Sequence, residues 1–366
     1  MLERAALAEA APVLDAILVP IAHDTEELTK AIGFSARLGC VLVAFCSRQA
    51  SAAEAVRLAK GSGAELVAVD IDGIPADLLP TFATSVVLSE AGFAYPKDTS
   101  AKRNLGLLFA RFAGWERVVF LDDDIHLSDP DDLERAAQLL GQYEAVGLEI
   151  GDFPDNSVVC HANRATGGTQ ATFIGGGALA VGPESMSSFF PKIYNEDWFF
   201  LLNGTRLRPS AMIGSAVQKF YDPFATEDRA RTEEFGDSLA EGVFWLLDQD
   251  EGLAGATVAY WREFLSHRRR FIGELIGRVD PANPRAERMT KALEAARGEC
   301  ERIEPSLCVD YLAAWQEDRQ RWREHVETMY LEHAAGLSRH PGSTRVEKAL
   351  SELGLMECAE YLRRGE

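Results

Sequence analysis

The stretch WERVVFLDDDIHL, residues 115–127, runs an apolar strand straight into three consecutive carboxylates, Asp122, Asp123 and Asp124. Val118, Val119, Phe120 and Leu121 form the near-continuous apolar run of a strand covered on both faces. Three like charges crowded at one strand tip repel, and water alone does not fully relieve that. A cation is expected there, either a basic side chain or a divalent metal ion held through oxygen. A plain helix start is the bland alternative, since Asp favours such positions. Asp129 and Pro130, however, already open the helix that follows.

Outward from this strand, the first half alternates short apolar runs with helical patterns. Strands are expected at residues 14–22, 40–47 and 64–72, with a fifth after the acidic one at 144–151. Between them, residues 25–39 place Leu28, Ile32, Ser35 and Leu38 on one helical face, with Gly39 as the stop. Residues 51–63 form a second helix, with Ser51 as N-cap and Glu54 three residues on. Further helices are expected at 99–115, leading into the acidic strand, and at 130–143. This alternation predicts an α/β fold: a mostly parallel, Rossmann-like sheet with helices on both faces and ligands at the carboxyl ends of the strands. The Gly- and Thr-rich segment 156–186 reads as strands and loops, and 210–225 contains another strand. From about Thr226 the chain is helical, broken at Pro281 and Pro284. Two regions are expected: residues 1–225 as the sheet domain and 226–366 as a helical C-terminal subdomain.

Composition narrows the class. The 366 residues carry 57 acids against 37 bases, for a net charge of -20. An acidic surface of that size disfavours nucleic acid and anionic membranes as partners, while a local basic pocket can still serve a phosphate-bearing small molecule. No segment reaches the roughly 20 apolar residues that span a bilayer. The N-terminus has Glu3, Arg4, Glu9 and Asp15 scattered through it, not a basic end and a clean apolar run, so a cytoplasmic chain is expected. The 6 cysteines are widely spaced, with no CxxC and no zinc-type cluster, which makes reduced thiols the default.

Four further stretches could carry chemistry. In NEDWFF, residues 195–200, two acids precede three aromatic residues. A carboxylate against apolar rings has its pKa pushed up, which suits a general base; the alternative is Asn195 capping a helix with Glu196 and Asp197 in its first turn. In AKRNLG, residues 101–106, Lys102 and Arg103 are cations in an acidic protein, and Asn104 can hydrogen-bond a base or sugar. In FIGGGALAVG, residues 173–182, the glycines superficially match a dinucleotide fingerprint. That reading is rejected, because Gly182-Pro183 follows at once and ALAV reads as a strand, not a helix start. Glycines here suit close backbone approach to a ligand. In HRRRF, residues 267–271, the basic run serves as an ion-pair partner for the acidic domain, or turns one arginine inward to a diphosphate.

The order of LVPIAHD, VAVDID, KRN, FLDDD, IGGGALAV and NEDW along residues 14–225 resembles the GT-A fold nucleotide-sugar glycosyltransferases, particularly the family 2-like group. The resemblance implies a metal-dependent enzyme that moves a sugar from a UDP- or GDP-linked donor to a small soluble acceptor, with Mn2+ or Mg2+ as cofactor. Pro20, Ala22 and Asp24 would border the base, as would Asp70 or Asp72. Lys102, Arg103 and Asn104 would lie near the nucleoside and its phosphates. Asp122 or Asp123 would face the ribose, and Asp122 and Asp124 are the metal candidates. Gly175, Gly176 and Gly177 would border sugar and acceptor. Asp197 would match the base of inverting members, with Glu196 as alternate. Residues 226–366 would close over the acceptor or form a homodimer contact. The chain departs from the pattern in one respect: no histidine lies between Asp197 and His267 to serve as a late metal ligand, which leaves Gln218, Tyr221 or Asp222 as substitutes. The alternatives are a sugar mutase or nucleotidyltransferase on a related fold, or a noncatalytic nucleotide-sugar-binding protein. The acidic PIAHDTEEL after the first strand disfavours a triphosphate-binding loop.

Overall fold

The computed structural model describes residues 3–4, 14–151, 157–169, 174–335 and 344–366. The first half contains β1 (Glu3–Arg4), β2 (Ala16–Ile21), α1 (Thr29–Leu38), β3 (Val41–Cys46), α2 (Ala52–Ala59), β4 (Glu65–Asp70), α3 (Ala83–Glu90), α4 (Thr99–Ala113) and β5 (Val118–Leu121). There follow β6 (Ile125–Leu127), α5 (Asp131–Gln138), β7 (Ala145–Gly151), α6 (Val158–Ala165), β8 (Ala178–Val181), α7 (Glu196–Phe200) and β9 (Ser210–Gln218). The last third is α8 (Glu227–Asp248), α9 (Val258–Arg278), α10 (Ala286–Arg302), α11 (Pro305–Ala335), α12 (Arg345–Glu352) and β10 (Ala359–Leu362).

One sheet runs β1-β9-β7-β8-β5-β2-β3-β4-β10, with β6 added on β9. Strands β2 to β5 are mutually parallel, as are β7, β9 and β1. β8 is antiparallel between β5 and β7, β6 is antiparallel to β9, and β10 closes antiparallel on β4. The expected α/β class, with a mostly parallel sheet, helices on both faces and a helical C-terminal region, is therefore what the chain forms. Because side chains alternate along a strand, Leu18, Val43, Phe45, Val67 and Phe120 enter one core with α4 and the C-terminal helices. Ile17, Val19, Leu42, Leu66, Val119 and Leu121 enter the other, beneath α1, α2 and α5. Helix α4 lies close on the sheet because Gly106 carries no side chain: a Cβ there would come within 3.1 Å of both Leu18 and Phe120.

Local signals account for most elements. Ser51 accepts from the Glu54 amide at 3.3 Å and opens α2. Gly39 and Gly114 end α1 and α4 in the left-handed region, as C-terminal caps do. One expectation fails. Within the segment read as strands and loops, residues 158–165 form α6, started by Ser157, whose hydroxyl accepts from the Cys160 amide at 3.2 Å. Val158, Val159 and Ala162 bury against the C-terminal helices, and that packing overrides the β-branched propensity. Residues 152–156 and 170–173 of the same stretch lie outside the described residues.

The C-terminal helices share their core with the sheet: Trp261, Tyr311, Trp315 and Trp322 are fully buried in the cluster that holds Phe120 and Val43. All six cysteines are free thiols. Among the described residues, no helix is long and apolar enough to cross a membrane. Asp318, fully buried on α11, holds the start of α3: its carboxylate accepts from the Ala83 amide, the Thr84 amide and the Thr84 hydroxyl, each at 2.8 Å. Asp318→Ala would leave two helix-start amides buried without an acceptor. It is expected to cost about 3 kcal/mol in urea unfolding, with Asp318→Asn losing less because its carbonyl still accepts.

Candidate active site

Strand β5 ends at Leu121, and the chain turns at once through the three aspartates. The Asp122 amide donates to the Gly177 carbonyl at 2.9 Å, which seats the aspartate run against the glycine turn before β8. In turn, the Gly176 amide donates to Asp197 Oδ2 at 2.6 Å. Three stretches far apart in sequence thus meet at one cleft over the carboxyl ends of the central strands. Arg103, Asp122, Gly175, Gly176, Gly177, Glu196, Asp197 and Gln218 all line it.

The centre of the cleft is a buried ion triad. Arg103, 4% exposed, donates through Nη1 to Glu196 Oε1 at 2.6 Å and through Nη2 to both Asp122 oxygens at 2.9 and 3.0 Å. Its guanidinium lies 5.5 Å from the centre of the Phe190 ring. Gly176 is required beside it, since a Cβ there would stand 2.4 Å from Arg103 Nη1. One cation faces two acids, and burial outweighs Arg103 in both. Desolvation, opposed by Arg103, pushes Asp122 up to about 7, and the same burial pushes Glu196 up to about 7. The two are not equally dry: the Asp122 side chain is 26% exposed toward the cleft and Glu196 only 11%, so water offsets more of the rise at Asp122. Between them the pair holds one proton more readily than two negative charges.

The other aspartates take different partners. Asp123 Oδ2 lies 3.0 Å from His23 Nδ1, and Asp124 Oδ2 accepts from Gln218 Nε2 at 3.0 Å. Asn195 precedes α7 with φ at 62°, the left-handed region that Asn tolerates, and its side chain reaches Asp237 Oδ1 at 3.2 Å without capping the helix. Asp197 is oriented by two amides, that of Gly176 and, at 2.9 Å, that of Trp198.

The remaining sequence candidates divide. Lys102 is buried and donates to the Ile21 carbonyl at 2.8 Å and Ser47 Oγ at 2.7 Å, with Asp98 at 3.1 Å. Burial, opposed by Asp98, lowers its pKa. Asn104 exchanges two hydrogen bonds with the Phe190 backbone, at 2.9 and 2.8 Å. Pro20 lies inside β2 opposite Phe45, and Ala22 follows the strand. Asp24 caps the 3-10 turn before α1 by accepting from the Glu26 amide at 3.0 Å. Asp70 accepts from the Ala52 amide at the start of α2 at 2.8 Å, and Asp72 lies in the turn after β4. None of these lines the cleft, and neither do Asp123 and Asp124. Lys97, Thr99, Trp198, Cys160 and Asp237 do line it. Asp237 lies mid-helix on α8, and no local pattern marks it as a site residue.

The HRRRF run turns Arg268 inward, but to carboxylates and not to a diphosphate position. Arg268 pairs with Glu234 at 3.0 Å and with Asp237 and Glu241 at 2.5 Å each. Among the described residues, Cys160, Asp237 and Glu241 are the one trio of Cys, His, Asp or Glu whose ligand atoms lie within 4.8 Å of one another. The Arg268 guanidinium already supplies the cation in that trio, and burial holds the Cys160 thiol well above its usual range.

No family model matches the sequence, and no curated protein matches it. Among solved structures, the chain is similar to the mannosyltransferase PcManGT from Pyrobaculum calidifontis, solved in complex with GDP-Man and Mn2+. The identity is 14% and the TM-score 0.38, over 94% of this chain and 87% of that one. It is also similar to A197 from STIV at 12% identity and a TM-score of 0.30, over 58% of this chain and 87% of that one. Likenesses this weak carry no argument about activity.

The ion triad makes a testable pH signature. Asp122 and Glu196 rise from ordinary values of 3.8 and 4.5 to about 7, so across that window the folded chain holds protons the unfolded chain has released. Their contribution to stability is therefore greatest at the acid end and falls as pH rises through about 7. Arg103→Met should destabilise by about 3–5 kcal/mol at pH 8, where the two buried acids lose their counter-ion and must stay charged or take up protons against the solution pH, and by clearly less at pH 5.5. Chemical denaturation at the two pH values checks it; an equal loss at both would show that the acids do not hold the proton.

Proposed function

We propose that this chain is a metal-dependent glycosyltransferase that moves a sugar from a nucleotide diphosphate donor, UDP- or GDP-linked, to a hydroxyl of a small acceptor. The observation that carries the reading is the junction at Gly176 and Gly177, which joins Asp122, the first of the three aspartates, to the Glu196–Asp197 pair in one cleft. A donor diphosphate and an acceptor hydroxyl need such acids at their two ends.

The donor set at the strand tip suits a hard divalent cation, because it consists of carboxylate oxygens. Asp124, with Asp122 or Asp123, would hold it, and a bound Mn2+ or Mg2+ would supply positive charge to the diphosphate leaving group. On the acceptor side, Asp197 takes the proton from the hydroxyl as its oxygen bonds to the anomeric carbon. The bond from that carbon to the diphosphate oxygen breaks, and the electron pair leaves with the nucleotide diphosphate. The two amides on Asp197 fix its direction, and Arg103 holds Glu196 out of the same role. The strand-end loops carrying Ala22, Asp24, Asp70 and Asp72 border the nucleotide. Residues 226–366 supply the acceptor wall, since Asp237 of α8 reaches the cleft beside Asn195.

Asp197→Asn is expected to lower turnover by about 10²- to 10⁴-fold while leaving donor binding intact. A thermal-shift panel of UDP, GDP and their hexose conjugates, with manganese or with chelator, reads the second part, because ligands that bind the native state raise the melting point by mass action. A variant that keeps its turnover, or a chain stabilised by none of these donors, would exclude the reading.

A further inference from the structure

We infer that this chain has a second small-molecule site, apart from the cleft, where Arg319 and Arg323 of α11 hold the phosphate of a phosphate monoester and the cavity beside them takes its apolar body. Arg319 shows the need for a ligand. Its Nε is shut off from solvent and meets no acceptor. Among the described residues no carboxylate pairs with it, and its guanidinium lies 5.1 Å from the centre of the Trp315 ring. Its Nη1 packs against Gly204, where a Cβ would collide with it. Burial, together with Arg208 and Arg323 nearby, pushes Arg319 down to about 10, still far above neutral, so the cation persists. Buried donors in folded proteins find acceptors, and clustered guanidiniums are suited to phosphate.

Arg208 belongs to the wall of this site. It is 6% exposed and donates to Glu144 at 2.5 Å, the Phe200 carbonyl at 3.2 Å and the Glu184 carbonyl at 3.3 Å. Arg323 gives one N–H to the Gln320 amide oxygen at 2.9 Å and, among the described residues, pairs with no carboxylate. Neither Arg319 nor Arg323 lines the cleft that holds Asp122 and Asp197.

The cavity adjoins this pair. Its volume is about 730 Å³, and Arg323 lines it together with Trp115, Met186, Trp322 and Val326. A cavity of this size can bury a small organic molecule. The Trp322 indole N–H is a second buried donor without an acceptor. Glu116 and Glu327 also line the cavity, but Arg111 and Arg323 match them in number, so Arg319 is the charge in excess. Two guanidiniums one helical turn apart offer more N–H donors than the two oxygens of a carboxylate use. A phosphate monoester brings three free oxygens and roughly two negative charges at neutral pH.

The test is calorimetric titration of the full chain at pH 7.5 in EDTA without nucleotide, which keeps metal-dependent binding in the cleft out of the signal. The probes are phenyl phosphate, inorganic phosphate and benzoate. Phenyl phosphate should bind about tenfold more tightly than either of the others. Arg319→Gln and Arg323→Gln should each weaken it about tenfold or more. Met186→Trp, which fills the cavity, should weaken phenyl phosphate and leave inorganic phosphate within twofold. Without ligand, Arg319→Gln should melt no lower than the parent, because it removes an unpaired cation from beside two others; a guanidinium with a purely structural role would lower the melting point when lost. If phenyl phosphate does not bind, or binds both arginine variants within twofold of the parent, the site is overturned. Benzoate binding as tightly overturns the phosphate assignment, and inorganic phosphate binding as tightly overturns the part given to the cavity. Should Met186→Trp fail to fold, the comparison of phenyl phosphate with inorganic phosphate in the parent decides.

Discussion

The arrangement of the cleft depends on one buried guanidinium. Arg103 joins Asp122 at the tip of β5 to Glu196 at the start of α7, and it can do so only because α4 runs beneath both. The neighbouring residues of α4 do related work. At about 100° per residue, Lys102, Arg103 and Asn104 point three ways from one helical turn. Lys102 gathers the ends of β2 and β3, Arg103 gathers β5 and α7, and Asn104 clamps the Phe190 backbone. α4 is therefore the organiser of the strand-end loops. Its close seat on the sheet at Gly106 lets these polar groups reach across the strand ends.

Charge decides what such a cleft can accept. Asp122, Glu196 and Asp197 line one opening, with Asp123 and Asp124 next to Asp122 along the chain, and Arg103 is already committed to two of the acids. Lys97 lines the opening, His23 adds at most one positive charge beside Asp123, and Lys219 is paired with Glu27 at 2.5 Å, so the acids still outnumber the cations. A pyrophosphate approaching this surface unaccompanied would meet net negative charge, on a chain whose overall charge is -20. If the chain takes the diphosphate donor we propose, a further cation would have to enter with it.

How much of this was legible in the sequence follows from the range of each signal. The strands at β2, β3, β4 and β5 and their following helices announce themselves through continuous apolar runs, Ser51 and the closing glycines, all local features. The Gly-rich turn and the NEDW acids are also visible as candidates. Their meeting is not, because it rests on β8 inserting antiparallel between β5 and β7, a pairing that no periodicity encodes. The helix at 158–165 was hidden because its Val-Val start favours a strand; only burial against α8 and α10 makes it helical. β10 was hidden too: its four residues gain their identity only from the free edge of β4. The inward turn of Arg268 could be imagined from HRRRF, but its acidic partners lie on a different helix.

The same distinction bears on the helical third. Asp237 accepts from Asn195 on one side and from Arg268 on the other, so the residue that introduces the Glu196–Asp197 pair is tied through one carboxylate to the centre of the α8–α9 packing. Asn195 holds a left-handed backbone at that point, a conformation that persists only where its surroundings impose it. The direction in which Glu196 and Asp197 enter the cleft is thus fixed from behind by the C-terminal helices, and from in front by Arg103 and Gly176. Because α8–α11 share one core with the sheet face, loosening that packing would move the acids as well as cost stability. The helical region then belongs to the site by construction: it sets the angle of the acids that the sheet alone could only hold in place.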